Sequence, residues 1–409
     1  MSQGSYNVVE HGAKLDGTGD LGAVVNAGFT AGYDTILIPA IPAGYRVATS
    51  MTPGSGQKVI GINGVPLLTR AASTNVDFFT SVVKTDLHIE NLQFDGNSSN
   101  SGTGKGVYSH ISDRCRYWDL RFTNMSDACI MNYQGTNVNI KTIYATGGTS
   151  HCIYFDAHLR GNVEDVLTGG SLGGFTIFGT TGSHHNNIHN IRTTSSLLEL
   201  CTLDGNYNKI SNAMATGTQD NGITLVGDYN EVYNFHSFSN YNNGLMINGS
   251  YNMVSNYVGW NNNQRPTAGS NAHSGLKIES GFGGFATGNQ INNVQMFDDQ
   301  GSPTQWGGVT LGASGYNQWV SGATLPASNY FVYYLNNVYT SDGGSGVMGS
   351  TAPTHTSGSV ANGAVTLRFL KTTTVGFHAT DNLCTNIKYR NNKTANKIDN
   401  ATLGTNSGF

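Results

Sequence analysis

The sequence predicts an all-β fold, a right-handed parallel β-helix wound in coils of about 22 residues. Three observations predict it. An apolar residue followed two positions later by Asn or another small polar residue recurs down the chain. A second short apolar run falls about half a period after each recurrence. Glycine makes up 54 of 409 residues while only 11% are charged, a composition of strands and turns rather than of helix bundles or disorder.

The repeat reads Ile89-Glu-Asn91, Tyr117-Trp-Asp119, Ile140-Lys-Thr142, Val163-Glu-Asp165 and Ile188-His-Asn190. It continues as Ile210-Ser-Asn212, Val232-Tyr-Asn234, Val254-Ser-Asn256 and Ile291-Asn-Asn293. Successive spacings are 28, 23, 23, 25, 22, 22, 22 and 37, the last implying an insertion within Asn261–His273. At about 3.3 Å per residue, 22 residues trace a closed path of roughly 70 Å, a perimeter that suits one coil of two or three short strands. Stacked coils place equivalent residues in columns about 4.8 Å apart. The Asn positions then form one column at a turn, where amides bond to each other and to free backbone groups.

The second run appears as ACIMNY, HCIYFD, GFTIFG, CTLDG, NGITLVGD, NGLMINGS, SGLKIES and GGVTLGAS. Alternation points Ile130, Ile153, Phe175, Cys201, Ile223, Leu245, Leu276 and Val309 inward. The residues three positions later then face out, among them Tyr133, Asp156, Phe178, Asp204 and Glu279.

The opening stretch, YNVVEHGAKLDGTGDLGAVVNAGF followed by DTILIPA, resembles the start of pectate-lyase-superfamily β-helices. Gly12-Ala13-Lys14, Asp16-Gly17, Asp20 and Ile38-Pro39-Ala40 carry the match, and IPAIPAGY duplicates part of the motif. The resemblance implies a capping helix over an open end of the solenoid, so Gly12 and Asp16 are expected to be structural. Residues 349–368 resemble a small β module of bacteriophage tail fibres and tailspikes. The expected organisation is a capping segment over 1–50, the β-helix over 51–325 and a small C-terminal β module over 326–409, a candidate trimerisation or glycan-binding region. Together these resemblances imply a phage tailspike depolymerase, a homotrimer on the virion tail acting on a bacterial capsular or other surface polysaccharide.

The densest polar constellation is Tyr154-Phe-Asp156-Ala-His158, with Tyr133 one coil below and Arg160 nearby. Alternation places Tyr154, Asp156 and His158 on the exterior. Asp156 and Asp204 are expected two coils apart, about 9–10 Å, within reach of the carboxylate separation of inverting glycoside hydrolysis. Asp156, His158, Asp204 and Tyr154 are therefore the candidate catalytic residues, and Tyr133, Arg160, Lys277 and Glu279 the candidate substrate-binding ones. A lyase or epimerase would instead use His158 as base, Tyr154 or Tyr133 as acid and Arg160 against a uronate. Phe155-Asp156-Ala157-His158 is similar to the FDPH motif of mannuronan C5-epimerases, which implies catalytic roles for Asp156 and His158. That family's preceding Tyr falls here on Ile153, beside Tyr154, and its second Asp has no counterpart near Phe178 or Gly179. Trp118, Tyr144, Tyr233, Tyr257 and Trp260 are expected outward, where aromatic faces can stack on sugar rings.

Other classes are disfavoured. A net charge of −4 leaves no electrostatic footprint for nucleic acid. No run reaches the roughly 18 apolar residues of a membrane span. The N-terminus shows no secretory h-region. Cys115, Cys129, Cys152, Cys201 and Cys384 have neither metal spacing nor an even count, and are expected to be buried thiols. His184, His185 and His189 are expected in a solvated loop. No metal or cofactor is expected. A non-catalytic glycan-binding spike is the alternative to the depolymerase.

Overall fold

The computed structural model describes residues 3–100, 102–170, 174–264, 273–280 and 286–297, and beyond these only strands at 307–313, 330–334, 337–340, 363–368, 379–380, 383–390 and 395–399. The chain forms two units, Met1–Cys201 and Thr202–Phe409. Both are built from parallel β-helix coils.

In the first unit the strand Gln3–Asn7 and the helix Leu21–Thr30 precede the coils. Asp20 caps the helix through Gly22 N and also accepts from Ala48 N at 2.8 Å, which ties the helix to the strand Tyr45–Val47. Gly22 permits the contact, because a Cβ there would lie 1.8 Å from the Thr49 carbonyl. Asp16 folds back on Thr18, so its carboxyl serves a turn.

Each following coil contributes one long strand and one short one. The long strands include His88–Asp95, Arg116–Met125, Asn139–Gly148, Asn162–Gly169 and Asn187–Thr194, paired in parallel register. The short strands Phe79–Val82, Val107–His110, Ile130–Tyr133, Ile153–Asp156 and Ile177–Gly179 form the opposing sheet. The interior is filled by stacked apolar side chains: Ile89, Tyr117, Ile140, Val163 and Ile188 on one wall and Val107, Ile130, Ile153 and Ile177 on the other. Cys115, Cys129, Cys152 and Cys201 are buried free thiols. Cys384 has no described side chain.

The long strands span what the sequence suggests are two short ones, because the polar repeat residue bends the strand without interrupting its pairing. Asn91, Asp119, Thr142, Asp165 and Asn190 all have φ between 51° and 57°. Asn and Asp tolerate this left-handed region better than other side chains. The expected ladder is present as well: Asn190 Nδ2 donates to Asp165 Oδ1 at 2.6 Å.

In the second unit the strands Lys209–Thr216, Glu231–Phe238, Met253–Trp260 and Gln290–Phe297 repeat this design. Asn234 donates to Asn212, Asn256 to Asn234 and Asn293 to Asn256. Val254 pairs with Ile291, which fits a long coil carrying an insertion; residues 265–272 of that insertion lie outside the described residues. A second, buried ladder runs from Asn208 through Asn230 and Asn252 to Asn289, the side-chain carbonyls of Asn230, Asn252 and Asn289 each accepting the backbone N–H of the preceding asparagine at 2.8 Å. Strands Leu383–Arg390 and Ala395–Asp399 pair in parallel with Gln290–Phe297 and Gly307–Ala313.

Phe175 and Tyr257 differ in orientation from the sequence expectation. Ile177 and not Phe175 takes the inward place opposite Ile153, because that coil is 24 residues long rather than 22. Tyr257, expected outward, is fully buried against Phe235, with its hydroxyl near Ser237 Oγ and donating to the Gly275 carbonyl.

Candidate functional site

The register of the short strands builds two outward columns in the first unit. Thr80, Tyr108, Met131, Tyr154 and Phe178 form one. Val82, His110, Tyr133 and Asp156 form the other, and Thr180 follows Asp156, donating its hydroxyl to Asp156 Oδ1 at 2.9 Å. Every second residue of each strand is buried, which holds the intervening side chains on the outer face.

Aromatic groups dominate that face. The Tyr154 and Phe178 rings lie 5.3 Å apart, His151 lies 5.4 Å from Tyr154, and Phe175 lies 5.0 Å from Phe178. His110 and Tyr133 meet at 4.8 Å. All six are partly exposed. Lys105 pairs with Asp127 at 3.0 Å and sits over the Tyr108 ring. The result is an apolar strip flanked by a carboxylate and hydroxyls, the mixture that sugar rings present in complement.

His158 is not part of this face. Ala157 has φ 49°, so the alternation that holds from Ile153 to Asp156 changes parity one residue before the histidine. His158 is fully buried, stacked on Phe155 at 4.3 Å, with Nδ1 bonded to Asn186 Oδ1 at 2.7 Å. Burial pushes its imidazole down to about 4, against the Asn186 bond. The expected exterior base is therefore an interior neutral histidine. The outer face does carry other imidazoles, His110 beside Tyr133 and His151 beside Tyr154. For His151 the tautomer is fixed: its Nδ1 accepts from Phe175 N at 3.1 Å, which leaves the proton on Nε2. Burial lowers its pKa and Asp127 pulls the other way. The HCIYFD segment contains the signal, since His151 precedes the inward pair Cys152-Ile153, but strand alternation alone does not register a ring at the strand's entrance.

The remaining candidates stand on other elements. Arg160 is exposed at the next corner, φ 58°, and no hydrogen bond or ion pair joins it to Asp156. Asp204 belongs to the second unit, half-buried after the strand Cys201–Leu203, and burial raises its carboxyl. Lys277, expected exposed, is only 4% exposed in the strand Ser274–Ser280. The Glu279 side chain lies outside the described residues. Among the described residues no cluster of three or more His, Cys, Asp or Glu is placed to hold a metal ion.

No protein-family model matches the chain, and no curated protein matches it in sequence. Solved structures do match it in fold. The A-module of mannuronan C-5 epimerase AlgE6 from Azotobacter vinelandii superimposes with a TM-score of 0.65 at 14% identity, covering 75% of this chain and 89% of that one. The catalytic domain of a GH87 α-1,3-glucanase in complex with nigerose gives 0.56 at 12%, covering 93% and 64%. The Dettilon tailspike protein gives 0.53 at 13%, covering 90% and 79%. The chain is a parallel β-helix similar in structure to polysaccharide-active enzymes and to a phage tailspike.

Proposed function

We propose that this chain is a tailspike-type β-helix that recognises a bacterial surface polysaccharide along the outer face of its short-strand sheet. The observation that carries the reading is the partly exposed cluster of His151, Tyr154, Phe175 and Phe178 beside Tyr133 and Asp156. Ring faces bury the C–H surface of a pyranose, while Asp156 and the Tyr133 hydroxyl bond its hydroxyl groups. A tailspike and two carbohydrate enzymes among the structural neighbours support it. Homotrimeric assembly on a virion tail belongs to the same reading, and sedimentation equilibrium measures the first part. The decisive test is binding of immobilised capsular and O-antigen polysaccharides by the parent protein and by Tyr154→Ala and Phe178→Ala. The expected result is retention on at least one polysaccharide, weakened tenfold or more by either change. Retention untouched by both would reject the site.

A second reading is cleavage, and Asp204 is the observation in its favour. A half-buried carboxyl whose pKa is raised is suited to donate a proton to a leaving glycosidic oxygen. Under this reading Asp204→Asn abolishes release of reducing ends from the polysaccharide that the parent binds, and Asp156→Asn is the parallel test. Product absorbing near the ultraviolet edge would assign a lyase, and persistence of cleavage in Asp204→Asn would exclude it as the acid.

A further inference from the structure

The long-strand sheet of the first unit carries a groove on its own outer face, away from the aromatic strip. It has a volume of about 790 Å³ and is lined from successive coils by Glu90, Asp119, Thr142 and Asp165, with Arg121 and Tyr144 beside them. That volume is in the range of sites that enclose an oligosaccharide-sized ligand. At about 4.8 Å per coil, its span from Gly61 to Asp165 is roughly 19 Å.

The groove lies where the left-handed column bends each strand, and there the column departs from its own rule. The second unit fills the column with Asn212, Asn234, Asn256 and Asn293, each bonded to the next. The first unit places Asp119, Thr142 and Asp165 at the equivalent positions, all with positive φ. A β-branched residue in that region is an outlier, and a carboxylate has no donor with which to carry an amide ladder onward; Asp165 ends it by accepting from Asn190. Asp119 and Thr142 make no side-chain hydrogen bond among the described residues, and Arg121 forms no ion pair there. Tyr144 is 43% exposed, and among the described residues its ring makes no aromatic contact. Local rules broken together in one place mark function more often than accident.

We propose that this groove is a second glycan site, which takes a short neutral, hydroxyl-rich oligosaccharide. Tyr144 stacks on one sugar ring, and Asp119 and Arg121 bond hydroxyl groups on either side. Charge selects the class: Glu90, Asp119 and Asp165 face a single arginine, so a polyuronate or a nucleic acid strand is repelled. The ladder residues are replaced because an Asn-to-Asn bond would consume the groups that the sugar needs. The inference rests on the glycan-directed reading above only for its choice of probe.

The test is saturation-transfer NMR with maltohexaose and cellohexaose as neutral probes and hexamannuronate as the charged one. The expected result is transfer from the parent to a neutral hexasaccharide and none to hexamannuronate. Tyr144→Ala and Asp119→Ala should each reduce affinity at least fivefold with unchanged far-ultraviolet circular dichroism, and Arg121→Ala serves where either fails to fold. Tyr154→Ala, on the opposing sheet, should leave it intact. Three outcomes overturn the groove: no transfer to either neutral probe, equal transfer to hexamannuronate, or a neutral signal lost in Tyr154→Ala and kept in Tyr144→Ala. The last would leave the proposed function standing, whereas loss of polysaccharide retention with the groove signal intact would reject that function alone.

Discussion

Replacing Asn234 separates the two demands that its column makes on a residue. Asn234 has φ 52°, donates to Asn212 Oδ1 at 3.0 Å and accepts from Asn256 Nδ2 at 3.0 Å. Asn234→Ala and Asn234→Gly both remove these two bonds, each contributing about 0.5–1 kcal/mol at an exposed position. Alanine adds the left-handed penalty of about 1–2 kcal/mol. Glycine escapes that penalty but adds about 0.5–1 kcal/mol of unfolded-chain entropy. The expected losses are therefore roughly 2–4 kcal/mol for alanine and 1.5–3 kcal/mol for glycine, with alanine worse by about 0.5–1 kcal/mol. Urea unfolding of the two variants side by side, followed by circular dichroism, compares midpoints at a common slope. A glycine variant less stable than the alanine one would show that backbone conformation is not what the column selects. Parent-like midpoints for both would remove the ladder from the account of stability altogether.

Three further outcomes follow from buried or strained groups. His158 is held at about 4 in the fold against about 6.5 when unfolded, so its contribution is complete above pH 6.5 and is lost as pH falls towards 4. The stability gap between the parent and His158→Phe should narrow by up to about 3 kcal/mol across that window, and parallel pH profiles would refute it. Tyr257→Phe deletes a buried hydroxyl and leaves the Gly275 carbonyl without that donor, an expected cost of about 1–3 kcal/mol by thermal melting; an unchanged midpoint would mean that another group replaces it. Thr142→Asn restores the ladder residue at φ 55° and should stabilise the chain by about 1 kcal/mol, and a lowered melting point would contradict the reading of Thr142 as strained.

The sequence discloses the coils because their columns repeat the same residue types at nearly constant spacing. Ile210, Val232 and Val254 need no structure to be placed on one wall. The Asn that follows each is equally visible, although its conformational role, a left-handed bend inside a continuous strand, leaves no trace in polarity alone. The site is less legible for two reasons. A coil of 24 residues moves Phe178 into the Tyr154 column, which a 22-residue period assigns to Thr176. A single left-handed residue, Ala157, inverts the side-chain parity that strand alternation would carry through to His158. Alanine is not a residue type that announces positive φ, so nothing local marks the reversal. The buried ladder from Asn208 to Asn289 was available in the recurring Tyr-Asn pairs at 207, 229 and 251. Polar residues ordinarily face water, and only the stacking of identical coils makes an interior amide column affordable.

The left-handed corner links stability to recognition in this fold. One bend per coil gives each long strand an outward angle, and stacking the bends produces a groove parallel to the column. The residue at the bend consequently has two competing uses. As Asn it bonds its neighbours above and below and rigidifies the wall, as in the second unit. As Asp or Thr it leaves oxygen acceptors facing the groove at the expense of the ladder, as at Asp119 and Thr142. The aromatic strip of the opposing sheet escapes this competition, because Tyr154 and Phe178 stand on flat strand and keep ordinary backbone geometry. Stabilising changes in the groove should therefore trade against its affinity, while the strip can be altered in affinity with little effect on the coils beneath it.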